Sequence, residues 1–252
     1  MQIPDFAQAL INKELQQLVK SSEYSLQPQT RIEIYEALGV SSVNDDKILD
    51  EARSSNSLPR LSVADLGRAH IALTTARKVT LLWDVACQES ELFFKQQDWQ
   101  DKYEDQRQEE IYLRRRKSEP IENISVYEVP RAFVPSHILE MAESALTGNI
   151  QDYGAFRHEA NEWWQIYGRP EQMEREFFIK WAAQDALYET IGWIKYNHEP
   201  PAENALYAFA GIFEGKDFDD RRCIIDKNKQ HEFWLWWLSE AIPQSVSKVD
   251  VS

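Results

Sequence analysis

The stretch Ser62–Asp84, SVADLGRAHIALTTARKVTLLWD, decides how this chain is read. Ser62 followed three residues on by Asp65 is an S-x-x-D helix start. The hydroxyl and the carboxylate each take up a backbone N–H that the first turn leaves unpaired. Leu66, Ala69, Leu73, Ala76, Val79 or Thr80, and Trp83 then recur at steps of three and four, so one helix face is buried. Arg77 lies one turn from Leu73 and one turn from Leu81, on a row that should be apolar. A cation there must meet a carboxylate or carry its head out to water. Asp84 or Glu36 is the expected partner, with Trp83 buried. The pattern is that of the central packing helix of a helical domain, and it carries no visible reaction chemistry.

Helical patterns flank it on both sides. Pro4 opens a first helix with Phe6, Leu10, Leu15 and Leu18 apolar. Pro28 opens a second through Ile32, Ile34, Tyr35 and Leu38, stopped by Gly39. Asn44 is placed to cap a short third through Ile48 and Leu49, and Ser54 to Pro59 reads as a loop. Beyond the central helix, Gln96 to Arg131 runs from acids (Asp98, Asp101, Glu104, Asp105, Glu109, Glu110) into Arg114–Lys117, a solvated helix whose basic end is locally neutralised. Asn123 to Val129 is the one place where a short extended segment is allowed. Pro135 opens the next helix, with Gly148 as its stop. Phe156, Ala160, Trp163, Trp164 and Tyr167 form another amphipathic row. Pro170 starts a long helix through Phe177, Phe178, Trp181, Leu187, Tyr188, Ile191 and Ile194. Pro201 starts one through Ala205, Leu206, Phe209, Ile212 and Phe213. The last carries Phe233, Trp234, Trp236, Trp237 and Leu238 and stops near Pro243, with a polar tail from Gln244 that frays. The expected fold is all-α, a multi-helix orthogonal or bundle arrangement in a single domain over 1–252.

Composition narrows the partners. The 252 residues suffice to bury roughly 70–75% of the unfolded surface, so neither disulfide nor metal is needed for stability. The formal charge of −14, from 42 acidic against 28 basic residues, disfavours nucleic acid and anionic membranes and suits a basic protein partner. Cys87 and Cys223 lack metal-ligand spacing and read as buried free thiols. No secretory leader opens the chain and no apolar run reaches membrane-span length, so a reduced, cytoplasmic protein is expected.

Nine Trp, ten Tyr and eleven Phe supply bulky rings, each able to bury about 150–250 Å² between helices. Trp236 and Trp237 are adjacent, so on a helix they point about 100° apart. Either that helix is central or one ring faces a partner, where an exposed Trp would be a hot spot.

Reaction chemistry finds little support. None of the five histidines follows a Glu by three residues as di-iron bundles require, and His158 with Glu162 is a single pair that reads as a surface ion pair. Glu140 with Glu143, Glu159 with Glu162, and Glu214 with Asp217 are spaced as helical carboxylate pairs able to hold Mg²⁺. They resemble the sites of all-helical nucleotide pyrophosphohydrolases, with Glu159, Glu162, Glu214 and Asp217 as the ligands, though the pairs lie further apart than in that family's compact pattern. Asp217-Phe218-Asp219-Asp220 is the densest acidic loop, able to cap the following helix through Asp219 or Asp220 or to meet a basic partner. No phosphate-cradling glycine loop or Gly-x-Ser-x-Gly elbow occurs. No cofactor or metal is expected, and a binding protein is favoured over an enzyme.

Three blocks in order carry a family likeness: Arg31-Ile-Glu-Ile-Tyr-Glu-Ala-Leu-Gly39, Ala72-Leu-Thr-Thr-Ala-Arg-Lys-Val-Thr-Leu-Leu-Trp-Asp84 and Pro135-Ser-His-Ile-Leu-Glu-Met-Ala-Glu-Ser-Ala-Leu-Thr-Gly148. This resembles the immunity proteins of bacterial polymorphic toxin systems, in the all-helical family numbered fifth. Arg31, Gly39, Arg77, Val79, Trp83, Pro135 and Gly148 fall on its motif positions. The likeness spans about 28–198, is interrupted by a charged insertion over 89–134 that the family lacks, and leaves 199–252 as a C-terminal helical extension. It implies a non-enzymatic cytoplasmic protein that binds and neutralises a cognate toxin. Glu104, Asp105, Asp217, Asp219 and Asp220 are the acidic positions expected to meet that partner, while Arg31, Gly39, Arg77, Trp83, Pro135 and Gly148 are structural.

Overall fold

A computed structural model describes residues 1–42, 51, 55, 57–83, 135–150, 152–156, 160, 175–191, 202–214 and 222–249. The described chain is all-α apart from one small two-stranded sheet. In order it forms α1 (Asp5–Lys20), α2 (Pro28–Ala37), α3 (Val63–Thr80), α4 (Pro135–Leu146), α5 (Arg175–Ile191), α6 (Ala202–Ala210), β1 (Gly211–Glu214), β2 (Arg222–Ile225), α7 (Lys227–Trp236), a π-helical turn (Trp237–Ala241) and α8 (Ile242–Ser247). The expected third helix and the extended segment at 123–129 lie outside the described residues, as does the 89–134 insertion.

Helix α3 is the centre. The S-x-x-D start forms the reciprocal capping box: Ser62 Oγ accepts from Asp65 N–H at 3.1 Å, and Asp65 Oδ2 accepts from Ser62 N–H at 3.1 Å. Burial exceeds the one face expected. Ala64, Gly67, Ala69, Ala72 and Ala76 let neighbours approach from several sides, with Ile71, Leu73 and Val79 filling between them. Helix α5 packs along α3, α4 and α6, and turns its own Ala182, Ala183 and Ala186 inward. Helix α6 and the C-terminal helices close the remaining sides of α3.

On α1 the buried residues are Ala7, Ile11, Glu14 and Leu18; of the expected row Leu18 is among them, Leu10 and Leu15 are half-buried, and Phe6 lies in water. The buried Glu14 is met by the Tyr24 hydroxyl, which donates to its carboxylate. Burial, and then Glu14, push the Tyr24 phenol up to about 12.

The C-terminal third departs most from expectation. The helix opened near Pro201 ends at Ala210, and Ile212 and Phe213 belong to β1. Gly211 explains the break. A Cβ there would fall onto the Tyr207 carbonyl oxygen and within 2.8 Å of the Phe213 ring and 2.9 Å of Cys223 Sγ, so the chain turns tightly where no side chain fits. The strands pair antiparallel with Ile212 opposite Ile224 and Phe213 opposite Cys223. Asp226 caps α7, accepting from Asn228 N–H at 2.9 Å and Lys229 N–H at 3.2 Å. Asp219 and Asp220, expected in that role, lie outside the described residues.

Helical structure does not stop at Pro243. Proline lacks an N–H and crowds the carbonyl four residues back. The π turn before it, where Ile242 N–H bonds the Trp237 carbonyl, admits the ring and α8 continues to Ser247. Nor does the tail fray from Gln244: Ser245, Val246 and Val249 are buried, and the Met1 ammonium donates to the Val249 carbonyl.

Candidate functional site

The positions singled out by the family likeness sit at helix joints. Arg31 on α2 is buried with its guanidinium 5.0 Å from the Trp234 ring centroid. Gly39 ends α2 at a φ of +129°, a conformation that favours glycine. Its carbonyl, with that of Tyr35, receives the Arg68 guanidinium, the Tyr35 contact from Nε at 2.9 Å. Gly148, with φ at +69°, follows α4, and Pro135 is buried at that helix's first residue. Arg77 pairs with Glu143 of α4 and not with the exposed Glu36, while Asp84, the other expected partner, lies outside the described residues. Arg77 stands on the side of α3 that faces α4, so the neighbouring helix supplies the carboxylate. Both partners of this pair are more than two-fifths exposed. Trp83 is half-buried against the core edge, because α3 ends at Thr80 and the ring lies beyond its last turn.

Arg68, to which the apolar spacing gives no clue, is an enclosed cation. It makes a 3.1 Å ion pair with Asp65, and neither side chain reaches water. Asp65 Oδ2 also accepts from Ser42 N–H at 2.8 Å and Ser42 Oγ at 2.7 Å. Burial pushes the Asp65 carboxyl up, and the hydrogen bonds from Ser42, Ser62 and Ser41 outweigh it, so the group lies below its ordinary range. The i, i+3 spacing of Asp65 and Arg68 was the available signal.

Helix α5 lies within the long helix expected from Pro170, and besides its apolar residues it encloses polar ones between its neighbours. Lys180, Gln184, Glu189 and Thr190 are buried. Gln184 Nε2 donates to the Tyr188 hydroxyl at 2.8 Å, and Asn204 Nδ2 on α6 donates to Asp185 Oδ2 at 2.6 Å. Burial pushes the Asp185 carboxyl up to about 7, with Asn204 pulling it back, and drives the Lys180 ammonium down to about 5. The Tyr35 phenol is raised too, by burial first and then by Glu189. These groups form a polar interior between helices. Among the described residues no three His, Cys, Asp or Glu come together as a metal site.

Glu214 is not on a helix. It sits on β1 and pairs with Arg222 of β2 at 3.5 Å, so it does not project from a helix as the carboxylate-pair reading required. Glu159, Glu162 and Asp217, the other ligands of that reading, lie outside the described residues, as do Glu104, Asp105, Asp219 and Asp220 of the expected partner surface. Of the two cysteines Cys223 is described. It is a free thiol, half-buried, and raised by burial while Arg175 pulls it down.

The adjacent tryptophans divide their work. Trp237 is buried, stacks on Tyr35 with centroids 6.2 Å apart, and donates from Nε1 to Thr75 Oγ1 at 3.1 Å. Trp236 is half-buried at the edge.

No family model, no curated protein and no solved structure matches this chain. No helix among the described residues is long and apolar enough to cross a membrane.

Proposed function

We propose that this chain is a toxin-neutralising protein that binds a basic cognate partner and covers its working surface. The observation that carries the reading is charge. The chain bears −14 formally. The buried charged residue types among those described are Glu14, Asp65 and Glu189 against Arg31, Arg68 and Lys180, and even with the lowered Lys180 uncharged they account for little of that surplus. The surplus is not stored in that interior. A displayed negative field speeds the approach of a basic protein and opposes a phosphate backbone on the same surface. The likeness to the fifth numbered immunity family supports the same reading, and its motif residues serve helix joints here, leaving recognition to the outer surface.

Co-expression tests this. A protein encoded beside this chain should arrest growth when produced alone, lose that effect when both are made, and co-elute with it at fixed stoichiometry. If every neighbour remains equally toxic and elutes separately, the reading is wrong.

A further inference from the structure

At the edge of α7 three aromatic rings form a shelf. Phe209 and Phe233 lie 5.8 Å apart between centroids, and Phe233 and Trp236 lie 5.7 Å apart. Phe233 is fully buried, while Phe209 and Trp236 are half-buried. A cation already rests on them: Lys78 of α3 holds its Nζ 4.9 Å from the Trp236 centroid and 5.8 Å from that of Phe209. Carboxylates flank Trp236. Glu232 stands one turn before it on α7, Glu240 follows in the π turn, and both are exposed.

We infer that the Trp236–Phe209 shelf, with Glu232 and Glu240 at its rim, is a docking point for a cationic side chain, arginine or lysine, on a basic protein partner. This rests on the proposed function for the nature of the partner and adds where it is held. Aromatic faces attract cations through their quadrupole, Trp most strongly. The ammonium of Lys78 shows that these faces hold a cation, and an incoming side chain takes that place by displacing it. The two carboxylates give the charge complementarity and steer the approach. A partly exposed Trp beside charged rim residues has the make-up of an interface hot spot.

The test uses the full chain and a capped peptide of four Arg-Gly repeats at low ionic strength, with the indole N–H signals of the ¹⁵N-labelled protein as readout and Trp236→Phe to assign one of them. The Trp236 signal should move with the arginine peptide and stay in place with the matched citrulline peptide, which keeps the shape and lacks the charge. Lys78→Met clears the shelf while keeping its apolar stem, and should tighten binding by about threefold. The double variant Glu232→Lys, Glu240→Lys should weaken it by about tenfold with the other indole signals unchanged. A Trp236 signal that ignores the arginine peptide, an equal response to citrulline, or affinities unaltered in both variants would each overturn the assignment. Failure here with neutralisation of a neighbouring toxin intact removes the docking point alone. The expected peptide behaviour without any neutralised neighbour removes the toxin reading and leaves the shelf.

Discussion

Asp65 and Arg68 form a 3.1 Å ion pair sealed inside the protein, and together they tie α3 to two other pieces of chain. Arg68 satisfies the carbonyls at the end of α2, and Asp65 gathers Ser42 and Ser62. Removing one partner takes from the other, still buried, the counter-charge it holds at 3.1 Å. Asp65→Ala or Arg68→Met should each cost about 3–5 kcal/mol in urea unfolding. The Asp65 carboxyl is lowered on folding, so its contribution is present above the ordinary carboxylate value of 3.8 and is lost as pH falls through the folded value. Asp65→Asn should flatten that acid limb of the stability profile. An unchanged acid limb would show that Asp65 is not the group responsible.

The interior of α5 predicts a second pH dependence of opposite origins. Lys180 is lowered from 10.5 to about 5, so the unfolded chain binds more protons between those values and stability rises with pH across that window. Asp185 is raised from 3.8 to about 7, so its contribution is full below 3.8 and lost as pH climbs to about 7. The two oppose each other between about 5 and 7, and Lys180 acts alone above. Melting temperature should therefore climb from pH 7 to pH 9 in the parent chain and stay level in Lys180→Met. Asp185→Asn should leave that alkaline rise in place.

Arg77 and Glu143 offer a contrast. Both are more than two-fifths exposed, so water screens the pair. Glu143→Gln should change stability by no more than about 1 kcal/mol. A loss comparable to that of Asp65→Ala would mean the pair is far better shielded than its exposure indicates.

The start of α3 was legible because Ser62 and Asp65 act within one turn, and Gly39 and Gly148 because a positive φ selects glycine locally. The resident partner of Arg77 was not, since Glu143 is close only once α3 and α4 have packed. The β1–β2 hairpin was missed for a related reason. Ile212 and Phe213 continue the helical spacing of Leu206 and Phe209, and the crowding that admits only glycine at 211 exists once the strands have paired. Pro243 misled because a proline signals a stop, and the π turn that accommodates it has no sequence signature. Of the candidate site, the flanking pattern Glu232, Trp236, Glu240 could be read from spacing. The cation resting on it comes from α3 and could not.

Thr75 isolates the value of one long-range hydrogen bond. Its hydroxyl accepts from the buried Trp237 indole at 3.1 Å and donates to the Ile71 carbonyl at 2.7 Å. Thr75→Val keeps the shape and leaves the indole N–H without that acceptor, which should cost about 1–3 kcal/mol by chemical denaturation. Thr75→Ser should recover most of it. A neutral Thr75→Val would place that N–H in contact with water.

The hydrogen bond from Trp237 to Thr75 spans 162 positions, and that from Ser245 to Thr74 spans 171. A ribosome that has made only the first two hundred residues has released α3 without the rings that cover it. At about 5–20 residues per second the nascent protein waits several seconds with Tyr35, Arg31 and Thr75 uncovered. Until the segment that carries Trp237 and Ser245 is made, the hydroxyls of Thr75 and Thr74 lack these two long-range partners.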